Sequence, residues 1–271
     1  MKDFKDKLEN ITDNNGSLLC IGLDIDTEKI PKFLFDSTKN PYLEFNRSII
    51  NSTKDLVCAY KLNMAFYEAL GLKGIEILKK TINHIPKDII VILDGKRNDI
   101  GNTANKYAKS LFEIFNADAV TVNPYLGIDG VEPFLKYKNK CSFILCRTSN
   151  PSAKDFQDLK VLKTPIYQIV AKKIYDWNTN NNCGAVVGAT YPEELKIIRK
   201  ILGDDIPFLI PGIGKQGGDV KKTVKNGINS QGKMAIINSS RGIIFADNKE
   251  GFAEISREKA SNLKDEINKF R

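Results

Sequence analysis

Short apolar runs of strand length recur along the chain, each followed by a turn and then by a stretch whose apolar positions return every three to four residues. Eight such runs stand out: LLCIGLDI (18–25), LVCAYKLN (56–63), DIIVILDG (88–95), DAVTVNP (118–124), CSFILCR (141–147), CGAVVGAT (183–190), PFLIPG (207–212) and MAIINSS (234–240). Apolar runs that do not alternate with polar residues suit strands covered on both faces, and strands that alternate with amphipathic helices signal parallel βα units. The helical stretches include AFYEALGLKGIEILKK, TANKYAKSLFEIF, PIYQIVAKKIYDW, PEELKIIRKIL and, after the last strand, EISREKASNLKDEINKF. Eight repeats in 271 residues predict an α/β fold of the (β/α)8 TIM-barrel type. An open doubly wound sheet is the alternative. No GxGxxG follows the first run, which removes the simplest argument for it. No Gly/Ser-rich or Pro-rich stretch divides the sequence, so residues 1–271 read as a single barrel domain.

Composition narrows the chemistry. The first residues, MKDFKDKLEN, carry no apolar signal core, and no run approaches the ~18 apolar residues of a membrane span, so the expectation is a soluble, cytoplasmic protein without membrane contact. Five cysteines (Cys20, Cys58, Cys141, Cys146, Cys183) are scattered through apolar runs with no CxxC pair and read as buried thiols rather than metal ligands. The one histidine, His84, ends a helical stretch and reads as a helix-terminal surface residue. A net charge of +8 fits a nucleic-acid partner, a membrane surface or anionic small molecules, but the Lys and Arg residues are interleaved with Asp and Glu along helices, the pattern of solvated faces. Charge alone does not choose among these, and with no basic stripe interleaved with aromatics no nucleic-acid partner is expected.

In a barrel, polar residues at strand C-termini share one mouth. The runs end at Asp24, at Lys61 and Asn63, at Asp94 followed by Lys96, at Asn123, and at Arg147, Thr148 and Ser149. The segment VILDGKRNDIGNTANKYA carries most information: an apolar strand leads directly into Asp94 and Lys96, with Asp99 just before a helix start. Strand periodicity places Asp94 and Lys96 on one face, where partial burial requires the two ions to pair. A structural ion pair beside an ordinary helix start is the bland alternative. After the seventh and eighth runs, PGIGKQGGD and NSSRG suit phosphate: glycines let backbone N–H groups approach an anion, the following helix offers its N-terminus, and Arg241 can bind phosphate oxygens two at a time. Two tight βα turns would account for the glycines but not for the arginine.

Taken together, LDGKRNDIGNT, YKLN, LDID, TSNP, PGIGKQGGD and SRG resemble the orotidine 5'-phosphate decarboxylase family, in its longer bacterial-type subgroup. The pattern Asp-x-Lys-x-x-Asp-Ile-x-x-Thr is present as Asp94, Lys96, Asp99, Ile100 and Thr103. The resemblance implies decarboxylation of a nucleotide substrate without metal or cofactor, in a homodimer with shared active sites. Lys61, Asp94, Lys96 and Asp99 would form a charged array at the reacting carboxylate, with Asp99, Ile100 and Thr103 reaching into the neighbouring subunit. Asp24 and Lys61 would contact ribose hydroxyls, Ser149 the pyrimidine edge, Gln216 and Arg241 the 5'-phosphate, and Asn63 the ribose or phosphate. Lys96 would stabilise a carbanion at C6 and protonate it. Arg97 and Asn98 depart from the small apolar residue that some members carry after the central lysine, and touch none of these contacts.

Two other enzyme readings share parts of this pattern. A magnesium-dependent barrel enzyme acting on sugar phosphates has the same Asp-x-Lys-x-x-Asp core but an acidic metal ligand near the end of the second strand, where this chain has Lys61. A Schiff-base aldolase would use Lys61 or Lys96 as nucleophile, against which flanking carboxylates argue by stabilising the ammonium.

Overall fold

The computed structural model describes residues 3–213 and 218–271. Each of the eight apolar runs forms a strand: β1 (Leu19–Gly22), β2 (Ala59–Asn63), β3 (Ile90–Arg97), β4 (Ala119–Val122), β5 (Cys141–Arg147), β6 (Cys183–Val187), β7 (Phe208–Pro211) and β8 (Ala235–Ser239). All pair in parallel with their neighbours, and β1 closes the barrel on β8 through the registers Leu19↔Ile237 and Ile21↔Ser239. Burial on both faces explains the near absence of polar alternation in these strands. The (β/α)8 barrel expected from the sequence is the observed fold.

The N-terminal helix Phe4–Asn14 buries Phe4, Leu8 and Ile11, and Phe4 meets the Phe143 ring of β5 edge-on at 5.9 Å. Beside it Lys7 pairs with Asp118, ahead of β4, at 2.7 Å. Around the outside, Phe45 of the helix Pro41–Thr53 stacks between Phe245 and Phe252, with centroids 5.5 and 5.3 Å away, and fastens the last helix, Phe252–Asn268, beside the first barrel helix. The five cysteines are buried and unbridged, and His84 Nε2 donates to Asn51 Oδ1 at 3.0 Å near a helix end. Among the described residues, no helix is long and apolar enough to cross a membrane.

Three helical segments differ from the pattern read in sequence. AFYEALGLKGIEILKK is not one helix but two, Met64–Glu68 and Gly71–His84, because Gly71 takes φ +63°, a left-handed conformation that breaks the run. TANKYAKSLFEIF begins inside a helix over Gly101–Lys109 and widens into a π-turn over Ser110–Ile114. The connection after β4 holds only a 3-10 turn (Ile128–Gly130) and a single α-turn (Glu132–Leu135).

The barrel's β6–β7–β8 side is fastened by Arg199 of the helix Pro192–Leu202. Its guanidinium donates to the carbonyls of Gly203, Ile206, Gly227 and Met234 at 2.6–2.9 Å and lies 3.6 Å from the centroid of Phe208. Gly227 ends the helix after β7, while Phe208 starts β7 and Met234 precedes β8, so one side chain ties the β6–β7 connection to the β7–β8 connection. Arg199→Met is expected to cost about 3 kcal/mol of unfolding free energy. The check is a lower urea midpoint at unchanged slope; a shift under about 0.5 kcal/mol would contradict this account of the fastening.

Candidate active site

The strand ends of the barrel open on a cavity of about 650 Å³, lined by Asp24, Lys61, Asn63, Asp94, Lys96, Ser149 and Arg241 together with residues that the sequence had not singled out. At its floor lies a run of alternating charges. Asp94, at the end of the apolar part of β3, is 8% exposed and sits between two ammonium groups: Lys61 Nζ at 3.1 Å from Oδ2 and Lys96 Nζ at 2.7 Å from Oδ1. Lys61, on β2, is 4% exposed and has Asp24 Oδ1 at 3.9 Å on its other side. The in-chain order is therefore Asp24, Lys61, Asp94, Lys96, each charge facing its opposite.

Thr121 of β4 completes the cluster. Its hydroxyl donates to Asp94 Oδ1 at 2.8 Å and accepts from the Lys96 main-chain N–H at 2.9 Å. This hydroxyl serves both residues because the β3–β4 ladder is irregular: Leu93 pairs with Val120 and Arg97 with Val122, so β3 carries two extra residues across the interval. Lys96 itself has φ +46°, so it meets Asp94 through a left-handed residue in a bulge rather than through a regular pleat. The expected pairing is present; its local geometry is not the one that period-two alternation predicts.

Electrostatics follow from this packing. Burial penalises the Lys61 ammonium, but the carboxylates of Asp94 and then Asp24 outweigh that penalty and raise its pKa. Burial likewise penalises the Asp94 carboxylate; Lys61, Lys96 and the hydrogen bonds from Lys96 and Thr121 overcome it and hold its pKa well below the usual carboxylate range. Both groups are ionised at neutral pH. Cys20, buried close by with its thiol 3.4 Å from Asn238 Oδ1, is pushed up by burial and then by Cys58, so it stays a neutral thiol.

The other residues singled out in the sequence take distinct positions. Asn63 lines the cavity and its Oδ1 caps the following turn by accepting from Ala65 N at 3.2 Å. Ser149 lies on the wall, and the exposed Arg241 opens the one-turn helix Arg241–Ile244 at the phosphate-suited end. Gln216 lies outside the described residues. Gly218 N–H donates to Gly212 O at 3.2 Å, and a Cβ on Gly218 would stand 2.8 Å from that oxygen. The helix after β7, Val220–Gly227, is capped by Asp219, whose carboxylate takes the Lys222 N–H at 2.9 Å, so that N–H is not available to an anion as the sequence had led us to expect.

Asp99, Ile100 and Thr103 do not line their own chain's cavity. Asp99 is half-buried with Oδ1 accepting from Ile100 N at 2.8 Å; Ile100 is 56% exposed and Thr103 is exposed. Two strand-end residues also fall elsewhere. Asn123 turns back to accept from Tyr125 N at 3.0 Å, and the inward polar residue of β4 is Thr121. Arg147, expected at the rim, is 1% exposed and packed behind the wall. Sequence reasoning missed Thr121, Asp26, Lys29, Gln157 and Asn238 in the lining. The available signals were the one polar position in AVTV and the Asn in IINSS, both interrupting apolar strands.

A carboxylate whose folded pKa lies below its unfolded value stabilises the fold above the unfolded value and loses that contribution as pH falls through the folded one. Asp94 should therefore contribute constant stability from neutral pH down to about 5, with the contribution declining below about 4. Asp94→Asn leaves the buried Lys61 ammonium with Asp24 alone and should cost about 3 kcal/mol at pH 7. Urea midpoints of both proteins between pH 3 and 8 check this; equal stability at pH 7 would contradict it.

Comparison with known proteins agrees with this architecture. The sequence model of the orotidine 5'-phosphate decarboxylase / HUMPS family matches residues 17–254. The chain is 48% identical over 272 residues to the orotidine 5'-phosphate decarboxylase of Dehalococcoides mccartyi, covering 99% of this chain and 98% of that protein. It is 49% identical over 273 residues to the protein of the same name from Cellvibrio japonicus, covering 98% of each. Among solved structures, Leishmania donovani OMP decarboxylase superposes with a TM-score of 0.86 at 36% identity, covering 99% of this chain and 98% of that one. Leishmania donovani UMP synthase gives 0.89 at 38% identity over all of this chain, which spans 57% of that longer protein. The chain belongs to the orotidine 5'-phosphate decarboxylase / HUMPS family.

Proposed function

We propose that this protein decarboxylates orotidine 5'-phosphate to uridine 5'-phosphate and CO2 by electrostatic stabilisation alone, with no metal or cofactor. The observation that carries the reading is the alternation of Asp24, Lys61, Asp94 and Lys96 at the cavity floor, with Lys61 and Asp94 buried. Losing CO2 from C6 of the orotate ring leaves an electron pair on a carbon with no neighbouring carbonyl to receive it, so fixed opposite charge must lower the barrier. Lys96 is the cation suited to this, because its side chain is half exposed to the cavity while Asp94 holds its ammonium. It stabilises the developing carbanion and then gives a proton to C6. Asp94 keeps negative charge beside the departing carboxylate, and Lys61 and Asp24 hold the ribose hydroxyls. Ser149 reads the pyrimidine edge, Asn63 adds a polar contact, and Arg241 with Gln216 binds the phosphate.

Lys61 also bears on the alternatives. A magnesium ligand set would need an acid near the end of β2, and this position carries an ammonium buried against two carboxylates. The same raised pKa keeps Lys61 protonated and unsuited to Schiff-base formation.

Asp99, Ile100 and Thr103 serve the partner's site in a homodimer. Support comes from the surface around them: Ile100, Tyr125, Leu126 and Ile128 are exposed apolar residues, Tyr125 at 81%. Their two segments are packed together, since a Cβ on Gly130 would touch both the Asp99 carbonyl at 3.3 Å and Leu126 Cβ at 3.4 Å. An apolar surface of this kind beside a carboxylate absent from its own cavity suits an isologous contact.

Lys96→Ala should reduce turnover of orotidine 5'-phosphate by at least about a thousandfold while the protein stays folded and binds uridine 5'-phosphate. Near-normal turnover would contradict the mechanism. Mixing the separately inactive Lys96→Ala and Asp99→Ala proteins should restore activity through hybrid sites holding one intact Lys96 and one intact Asp99; no recovery after verified subunit exchange would overturn the shared site.

A further inference from the structure

Behind the wall that carries Ser149 lies a buried cation that the decarboxylation chemistry does not use. Arg147, the last residue of β5, has its guanidinium 3.9 Å from the centroid of Tyr191 and 3.1 Å from Asp158 Oδ1. It also donates through Nη1 to Gln157 Oε1 at 3.3 Å, and Gln157 lines the cavity. The same Oε1 accepts from Thr148 N at 2.9 Å, Gln157 Nε2 donates to Thr148 Oγ1 at 2.8 Å, and that hydroxyl donates to Asn150 Oδ1 at 2.6 Å.

This chain of bonds has one direction. A guanidinium can only donate, and so can a main-chain N–H, so the Gln157 carboxamide must turn its oxygen to both and its amino group to Thr148. The Thr148 hydroxyl, having accepted, passes its proton side to Asn150. One lone pair of the Asn150 carboxamide oxygen is thereby taken, which orients the group with its oxygen toward Thr148 and its amino group available to a ligand's acceptor, such as a carbonyl oxygen of a pyrimidine. Ser149 is held between the two relay residues, and from the far side Gly188 abuts it so closely that an added Cβ would stand 2.9 Å from Ser149 N, Cα and Cβ.

We propose that Arg147 and Gln157 are positioning residues that fix the donor polarity of the Thr148–Asn150 rim, and through it the affinity for the base end of the substrate. The proposal rests on the orotidine reading above. It predicts a separation between the two ends of the ligand: breaking the relay weakens contact with the base and leaves the ribose phosphate contacts, made by Asp24, Lys61 and Arg241, in place.

The test is calorimetric titration of the protein with uridine 5'-phosphate and with ribose 5-phosphate. Thr148→Val removes the hydroxyl at nearly constant shape, Gln157→Leu removes the carboxamide, and Thr148→Ser restores the hydroxyl. Val and Leu variants should bind uridine 5'-phosphate about tenfold more weakly, the loss of roughly one hydrogen bond, with ribose 5-phosphate changed by less than about twofold. Thr148→Ser should recover most of the uridine 5'-phosphate affinity. Should Gln157→Leu fail to fold, the Thr148 pair decides. Parallel weakening of both ligands, unchanged binding of uridine 5'-phosphate, or a Ser variant as weak as Val would overturn the relay. Failure of the unaltered protein to bind uridine 5'-phosphate would instead overturn the orotidine reading, and the inference with it.

Discussion

The structure around the cavity depends on one buried carboxylate held between two ammonium groups. Asp94 could not remain ionised at 8% exposure without partners, and Lys61 at 4% exposure has the same requirement in reverse. Each meets the other's need, and the side of Lys61 left over faces Asp24. The cluster is therefore fixed by mutual constraint: moving any strand end that carries a member would leave a buried charge uncompensated. Burial of this kind keeps water from reorganising around the charges, which is the condition under which fixed dipoles and ions act most strongly on a reacting centre.

Two ladder irregularities adapt a regular barrel to this constraint. The bulge between Leu93 and Arg97 lets Lys96 return over Asp94 and brings the Thr121 hydroxyl under both. A second one, between Leu145 and Arg147 against β6, ends β5 just where Arg147 turns behind the wall and Ser149 turns onto it. Regular strands supply the position of the mouth, and the departures from regularity aim the side chains in it.

Much of this was legible in the sequence because the physics behind it is local. Strands buried on both faces read as unbroken apolar runs, and all eight were recoverable that way. Asp94 and Lys96 stood out because they interrupt such a run. What local pattern could not supply were the partners chosen by tertiary packing. Thr121 went unnoticed inside an apolar run while Asn123, at the strand end, stood out, and in the fold it is Thr121 that faces the cavity. Arg147 looked like a rim residue because strand ends usually meet solvent, yet Asp158 and the Tyr191 ring allow its burial. The stretch between Ser149 and Pro165 showed no periodicity, since it is ordered by a 3-10 turn over Pro151–Asp155, a hairpin pairing Lys160–Val161 with Thr164–Pro165, and the side chain of Gln157.

Whether these fixed charges suffice for decarboxylation is tested most directly by the ultraviolet absorbance of orotidine 5'-phosphate after adding the purified protein in excess chelator. A complete fall to the spectrum of uridine 5'-phosphate is predicted, at the same rate with and without added divalent metal. No change in absorbance, or a fall that requires the metal, would contradict it.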